Sequence, residues 1–557
     1  MDEDIEEGSV VITNIYGDVC VRKKARRKRQ KALVQDMFYD YATNTTLHGL
    51  SYTTKRGLTI IEKIFWLITF LASICLCAYL INNVWIKWKT SPVIVTVSEK
   101  LVPVRTVPFP SVLICPQSKT KATVYNFTAE KLRLYNFLMM PGTDSGNTTS
   151  TEMEFAKFQD VANVCGGFYG YPEHLKFLNR MYSDETVARS IYEVAPKKDD
   201  IFEDCVFWGK YDFGCAAISE TLTSEGLCFS INTLAAQDIL RNSSINNSIP
   251  YLSANKSAVN WTDEHGYSDF GPHVYPVPGK ENRASPDIQI IMKTSLIDRD
   301  LMCNTVNSGY KVFIQHPADL PQSSVYYFAV LNKQVSSMAL SFSVLNTSES
   351  LIKYDPEIRQ CYFPGERYLK YFKIYTANNC KIECLANVTF NLCNCVAFYM
   401  PHESKTICTE LSQGCMNLAR DKMVEIEATD PNRTCRCLPS CNSVDYEAEI
   451  LKTDYNLKDL LQVVYNVRNL TVDDDTQYSK LEMYFKRSRF VSMHRSELFG
   501  LTDFLANIGG LLGLFLGFSF LSLVELFYFL TLRLWCTLKK DLKQEKLERQ
   551  NTIVRKF

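Results

Sequence analysis

Two long apolar runs, one near each end of the 557-residue chain, restrict its fold more than any other feature. Ile64 to Ile81 (IFWLITFLASICLCAYLI) carries no charge over 18 residues and is extended toward the amino terminus by Leu58 to Ile61. Phe504 to Leu532 is longer and holds a single charge, Glu525. A helix needs ~20 apolar residues to cross ~30 Å of hydrocarbon, so the first run fits and the second must tilt or break. Trp85 and Trp88 follow the first run, where amphipathic rings favour the headgroup level. A secretory signal is excluded, because nearly 60 residues precede the run and no small-residue cleavage site follows it.

Two crossings put both termini on one side. Residues 22 to 31 (RKKARRKRQK) hold eight basic side chains, and Arg533, Lys539, Lys540 and Lys543 follow the second run, so that side is the cytosol. The basic run is read as a topology signal ahead of a patch for anionic lipid. Cysteine placement gives an independent test. Of 20 cysteines, sixteen lie between Cys115 and Cys441; Cys75 and Cys77 fall in the first run, Cys20 and Cys536 near the termini. A dense even set reads as disulfides in an oxidising compartment. Glycosylation sequons agree, with Asn126, Asn147, Asn242, Asn246, Asn255, Asn260, Asn346, Asn387, Asn432 and Asn469 in the loop and only Asn44 outside it. The expectation is a two-pass plasma-membrane protein with a large extracellular loop.

The organisation follows: a cytosolic segment (1–57), a first membrane helix (58–83), an extracellular domain (84–497), a second membrane helix (498–534) and a cytosolic tail (535–557) whose KKDLKQEKLERQ reads as a charged helix. Inside the loop, PVIVTVS (92–98), FPSVLIC (109–115), IQIIM from Ile288 and SVYYFAVL (324–331) predict strands. TAEKLRLYNFLMM (128–140), TEMEFAKFQDVANV (151–164) and DYNLKDLLQVV (454–464) predict helices. The polar, sequon-rich stretch 241–285 reads as a surface excursion. The fold class is therefore a membrane protein with two transmembrane α-helices and a disulfide-rich mixed α+β domain.

Ten cysteines crowd into 361–441. CKIEC, CNC and CRC invite a zinc reading, but there are no CxxC pairs and no histidine at ligand spacing, so no metal is expected. Cys380 and Cys384, four residues apart, share one helix face and could bridge to a second strand or helix. The run RQCYFPGERYLKYFKIYTANNCKIECLANVTFNLCNCVAFYMP, ending in CRCLPSC, resembles the thumb region of the degenerin and epithelial sodium channel family, in particular its insect pickpocket branch. That resemblance implies an acid-sensing-channel-like ectodomain with a ladder of bridges, Cys361–Cys441, Cys380–Cys437, Cys384–Cys435, Cys393–Cys415 and Cys395–Cys408. It also implies Cys115–Cys228 and Cys205–Cys215. Cys165 and Cys303 have no counterpart in the acid-sensing members, and their pairing is a guess.

In the second run, Ser519, Ser522 and Glu525 recur every third residue as a polar stripe, and Gly509, Gly513 and Gly517 recur every fourth, a spacing that lets a helix approach closely. Taken alone, a glycine-mediated helix pair and a pore are equally good readings. NIGGLLGLFLGFSFLSLVELF (507–527) resembles the family's second membrane helix, in which a Gly-x-Ser tripeptide forms the narrowest belt. The resemblance implies that Gly517, Phe518 and Ser519 line the constriction, with Glu525 as the carboxylate below. Phe518 stands where many members have alanine or serine. His48-Gly49 resembles the family's re-entrant motif beneath the pore, and Ala506, with Asn507 beside it, aligns with the gating position where closure requires a small residue. FPSVLICP (109–116) is a further family mark, and its Pro116 again matches the pickpocket branch.

The function implied is a subunit of a trimeric, gated, amiloride-sensitive sodium-permeable channel without enzymatic activity. No cofactor is expected, sodium being the permeant species. The expected partners are related subunits in a homo- or heterotrimer and membrane lipid, not nucleic acid. Three rivals share the topology: an ATP-gated trimeric channel, which would lack this ladder and the Gly-x-Ser belt; an ecto-enzyme, for which no GxxxxGK[ST], HExxH or GxSxG is present; and a non-conducting regulatory subunit.

Overall fold

The computed structural model describes residues 34–554 apart from 56, 91–92, 140–147, 167–181, 185, 209–213, 242–258, 260, 269–273, 281–284, 304–307, 404–405, 430–434 and 468–474. Cys20, the basic run at 22–31, and the sequons at Asn147, Asn242, Asn246, Asn255, Asn260, Asn432 and Asn469 lie outside the described residues. The chain divides into two compact units. One joins the residues up to Ile94 with those from Glu497; the other is Val95–Ser496.

The first unit is helical. Residues 34–44 form α1, Leu50–Thr54 form α2, and Ile60–Thr90 form α3, a 31-residue helix long and apolar enough to cross a membrane.

The second unit is built on two sheets. The larger runs β1(Val93–Pro103), β16(Arg489–Glu497), β12(Gln334–Thr347), β15(Thr476–Phe485), β9(Ile288–Ser295), β4(Phe202–Phe207), with β14(Ser443–Asp454) also on β12. β14 lies antiparallel along β12 from Gln334 to Leu345, so β15 and β16, both parallel to β12, share its other edge in tandem. Every second residue from Met338 to Val344 is buried, the period of a strand with one face on a core. The smaller sheet runs β11(Phe328–Val330), β10(Tyr310–Gln315), β2(Ser111–Pro116), β6(Gly226–Ile231), β5(Ser219–Thr223). β2 is its central strand and is buried along its whole length. The main core lies between the sheets: Val112, Ile114, Phe229 and Val312 from one meet Ile290, Met338, Leu340 and Met483 from the other.

Three of the four predicted strands keep most of their length. The fourth, over 324–331, shrinks to β11. Among the described residues, this edge strand pairs only with Tyr310–Val312 of β10, and Val325 and Tyr326 stand out of the sheet, 98% and 72% exposed. The predicted helices appear as α4(Phe127–Met139), α5(Thr148–Cys165) and, further on, α12(Leu457–Val467). Phe127 of α4 stacks on Phe158 of α5 at 4.9 Å, and α6(Thr186–Val194) buries Val187, Ala188, Ile191 and Val194, a helical stripe. One-turn helices α7(Lys198–Ile201), α8(Ala236–Ile239) and α9(Pro356–Arg359) connect the larger elements. The stretch 241–285 is not wholly a surface excursion. Its hairpin, β7(Trp261–Thr262) and β8(Gly266–Tyr267), buries Trp261 and Tyr267 in the main core, because two large aromatic rings outweigh the polar residues around them.

The cysteine-rich region is a pair of helices, α10(Ala377–Cys393) and α11(Gln413–Thr429), with the two-stranded sheet β3(Tyr182–Ser183) and β13(Ile407–Cys408) beside it. Thr376 caps α10 by accepting from the Asn379 N–H at 3.1 Å. Cys380 and Cys384 face one side of α10, and their partners Cys437 and Cys435 sit on a segment, 435–439, that is neither strand nor helix. The other bridges are Cys115–Cys228, Cys165–Cys303, Cys205–Cys215, Cys361–Cys441, Cys393–Cys415 and Cys395–Cys408. Cys75, Cys77 and Cys536 are free. Asn126, Asn346 and Asn387 are all exposed. The second apolar run is interrupted: α13(Leu501–Leu516), a break at Gly517–Ser519, α14(Phe520–Tyr528), a π-helical turn over Phe529–Arg533, and α15(Leu534–Val554), which continues straight into the charged tail.

Candidate functional site

The break divides one apolar helix into two. Gly517 ends α13 in the left-handed conformation, φ +63°, which a Cβ disfavours. The Gly517 N–H donates to the Gly513 carbonyl at 2.9 Å, and the Phe518 N–H to the Leu512 carbonyl at 3.2 Å. Ser519 then opens α14 as its cap: its hydroxyl accepts from the Ser522 N–H at 3.3 Å, and its own N–H donates to Ser522 Oγ at 3.0 Å. Among the described residues, the carbonyl oxygens of Gly517 and Phe518 accept no hydrogen bond. Each unsatisfied group costs several kcal/mol in hydrocarbon, so such a break is tolerated only where protein or water faces it.

Protein faces it on one side. The end of α1 and the segment after it run back along the second helix and match it at four levels. The His48 N–H donates to the Leu516 carbonyl at 3.0 Å. Thr46 Oγ1 lies 2.7 Å from Ser522 Oγ and donates to Glu525 Oε2 at 3.2 Å. Tyr41 meets Phe529 edge-on at 5.3 Å, and Arg533 pairs with Asp40 at 3.2 Å. Residue numbers fall on one segment as they rise on the other, the signature of an antiparallel clasp.

The His48 ring explains Gly517 a second time. A Cβ on Gly517 would lie 2.9 Å from His48 Cγ, and Nδ1 and Cε1 are nearer still. Gly49, at φ +90°, turns the chain so that α2 folds onto α3, where Tyr52 stacks on Trp66 at 4.6 Å. α3 meets α13 at its far end, Trp85 and Trp88 lying 5.7 and 4.9 Å from Phe504.

Of the sequence-predicted site residues, His48, Gly517, Ser519 and Glu525 belong to this one constellation, with Gly49 at the turn and half-buried Phe518 contributing backbone. Ala506 and Asn507 do not. They sit on an exposed face of α13, about 15 Å of helix rise from the break, and Asn507 donates only to the Asp503 carbonyl at 2.8 Å. Ser519 caps α14, Ser522 is buried, and Thr46 reaches both Ser522 and Glu525. Among the described residues, nothing lies within 4 Å of a Cβ built on Gly509, and a Cβ on Gly513 meets the Phe518 carbonyl oxygen at 4.0 Å. Asp40, Tyr41 and Thr46 escaped sequence reasoning. Their partners are more than 470 residues away, and a hydroxyl two residues before a histidine follows no recognised pattern.

The profile of the family described as amiloride-sensitive sodium channel matches residues 41–529, beginning at Tyr41 of the clasp and ending at Phe529 opposite it. Pickpocket protein 28 of Drosophila melanogaster is 26% identical over 529 residues, covering 93% of this chain and 82% of that protein. Sodium channel protein Nach of Drosophila melanogaster is 22% identical over 524 residues, covering 93% of this chain and 90% of that protein. Acid-sensing ion channel 2 of Danio rerio is 28% identical over 159 residues, 28% of this chain and 29% of that protein.

Proposed function

The chain belongs to the amiloride-sensitive sodium channel family, and from that membership we propose that it is a subunit of a gated, sodium-permeable channel of the plasma membrane with both termini in the cytosol. Two membrane helices cannot enclose a pore, so the reading requires subunits arranged about an axis, and we take the assembly to be a trimer.

The observation that carries the proposal is the break at Gly517–Ser519. Two carbonyls without hydrogen-bond donors, beside a hydroxyl, can replace part of the hydration shell of a small hard cation. Repeated around an axis they make a narrow oxygen-lined belt. Glu525 lies one to two turns further along and supplies the negative charge that raises the local cation concentration. The clasp by residues 40–48 explains how so polar a break is held open as one geometry: its hydrogen bonds hold Leu516, Ser522 and Glu525 without engaging the carbonyls of Gly517 and Phe518. Permeation is passive, and the stimulus acts through the disulfide-stapled domain.

The test is expression in oocytes, alone and with a conducting pickpocket relative, with currents recorded under sodium replacement by a large organic cation and during amiloride application. An inward current that disappears on sodium removal and is blocked by amiloride is expected. Absence of any sodium current in both settings, with the protein at the cell surface, would exclude a conducting subunit.

A further inference from the structure

We propose that the large domain carries a binding site for a small organic anion with an aromatic body, in the cavity at the root of the cysteine-rich helix pair. The cavity holds about 340 Å³, within the range of small-molecule sites. Its floor is apolar, made by Leu234, Leu369 and Phe372 of a second, smaller core. Trp261 from the β7–β8 hairpin and Phe363 from the segment leading to α10 supply aromatic walls. Phe363 is fixed from behind. The guanidinium of Arg359, only 1% exposed, lies 4.8 Å from its ring, pairs with Glu366, and donates to the carbonyls of Tyr354 at 2.7 Å and Cys361 at 3.1 Å.

The charge at this cavity points to the ligand. Arg241, Arg367 and Lys373 all line it. Arg241 Nε donates to the Leu369 carbonyl at 3.0 Å, and its guanidinium lies 4.3 Å above the Tyr368 ring. Lys373 donates to the Gln237 carbonyl at 2.6 Å, and Arg367 to the Cys435 carbonyl at 3.0 Å. Each cation is thus oriented by a backbone carbonyl, and among the described residues none of the three has a carboxylate partner. Two acids also line the space. Asp263 is engaged by His316 at 3.2 Å, which leaves Glu264 alone against three cations. An oriented guanidinium with free terminal nitrogens matches a carboxylate in plane, and the aromatic walls match a ring attached to it.

The site stands on the geometry of the large domain and does not require conduction, so binding is what should be measured. Full-length protein in lipid nanodiscs is titrated calorimetrically with 3-phenylpropionate, 3-phenylpropanol and 3-phenylpropylamine, which share one body and differ in charge. The expected result is saturable binding of the acid at one site per chain, at least tenfold tighter than the alcohol or the amine. Arg241→Gln and Lys373→Gln should each weaken the acid at least fivefold and leave the alcohol unchanged. Lys373 is exposed, so its variant is informative even where Arg241→Gln disturbs packing. Acid and alcohol binding equally, no saturable binding of the acid, or variants that bind as wild type would each overturn the proposal.

Discussion

Gly517→Ala is the sharpest perturbation of the break, because the structure separates its cost into two parts. The first is local: a Cβ at φ +63° costs roughly 1–2 kcal/mol. The second is a collision. The His48 ring must withdraw by roughly 2 Å to reach an ordinary carbon contact of ~3.5–4.0 Å, and this pulls on the backbone N–H of the same residue, which is bonded to the Leu516 carbonyl at 3.0 Å. Losing that bond adds about 1 kcal/mol. Together, about 2–3 kcal/mol shifts the clasped geometry by roughly 30- to 150-fold. Under the channel reading, Gly517→Ala should collapse the sodium current, or its preference over potassium measured from bi-ionic reversal potentials, at unchanged surface expression. His48→Ala removes the ring and therefore only the second part. The double variant should recover about 1 kcal/mol, a five- to tenfold gain over Gly517→Ala alone. A Gly517→Ala channel with wild-type current and selectivity would refute the argument. So would a double variant no better than the single one, since the ring would then not be what glycine accommodates.

Thr46→Val strips the hydroxyl from Glu525 and Ser522, removing about 1 kcal/mol of clasp; single-channel conductance should fall severalfold and Thr46→Ser should restore it. Under the channel reading, Phe518→Ala should leave the sodium-to-potassium permeability ratio within about twofold, because the proposed belt would take that residue's carbonyl and not its ring. In the ladder, Cys384–Cys435 (separation 51) is nested directly within Cys380–Cys437 (57), so either bridge alone keeps nearly the same loop closed. Removing one by paired alanines should lower the thermal midpoint only slightly, and removing both should cost about 4 kcal/mol, a strongly non-additive result in thermal unfolding. His316 is pulled down by burial but raised further by the carboxylates of Asp263, Asp319 and Asp445, to about 9. Because its folded pKa exceeds the unfolded value of about 6.5, its stabilisation is full below pH 6.5 and is lost as pH rises toward 9. His316→Gln should flatten that part of the stability–pH profile, and an unchanged alkaline slope would refute the assignment.

Periodicity made α4, α5 and α12 legible, because each presents an apolar face long enough to register, and β1, β2 and β9 followed from buried runs or alternation. It misjudged SVYYFAVL, whose Val325, Tyr326 and Tyr327 have strand-forming side chains but, among the described residues, no neighbouring strand to pair with; propensity describes a surface, and pairing decides whether the surface exists. The hairpin at Trp261 and Tyr267 was hidden for the opposite reason, two anchoring rings in a stretch read by its polar average. Cysteine count and spacing left the pairing open, since connectivity is a property of the folded chain. Resemblance to a known thumb supplied a ladder, and the structure joins the same pairs.

At the break, the residue types were visible and their roles were not. Ser519 and Ser522 read in the sequence as successive positions of one polar stripe. With Gly517 left-handed, the break falls just before them, and the two serines together cap the new helix. The remaining polar requirement of the break could not be met locally. Leu516 needed a donor and Glu525 a hydroxyl, and both come from Thr46 and His48, in a segment lying before the first membrane helix. The break therefore has meaning only as part of a three-segment assembly in which His48 limits residue 517 to glycine, the clasp satisfies what lies on either side, and two carbonyls are left over. Those carbonyls belong to the backbone, so the break accommodates an aromatic side chain at Phe518 where it would not accommodate a methyl group at Gly517.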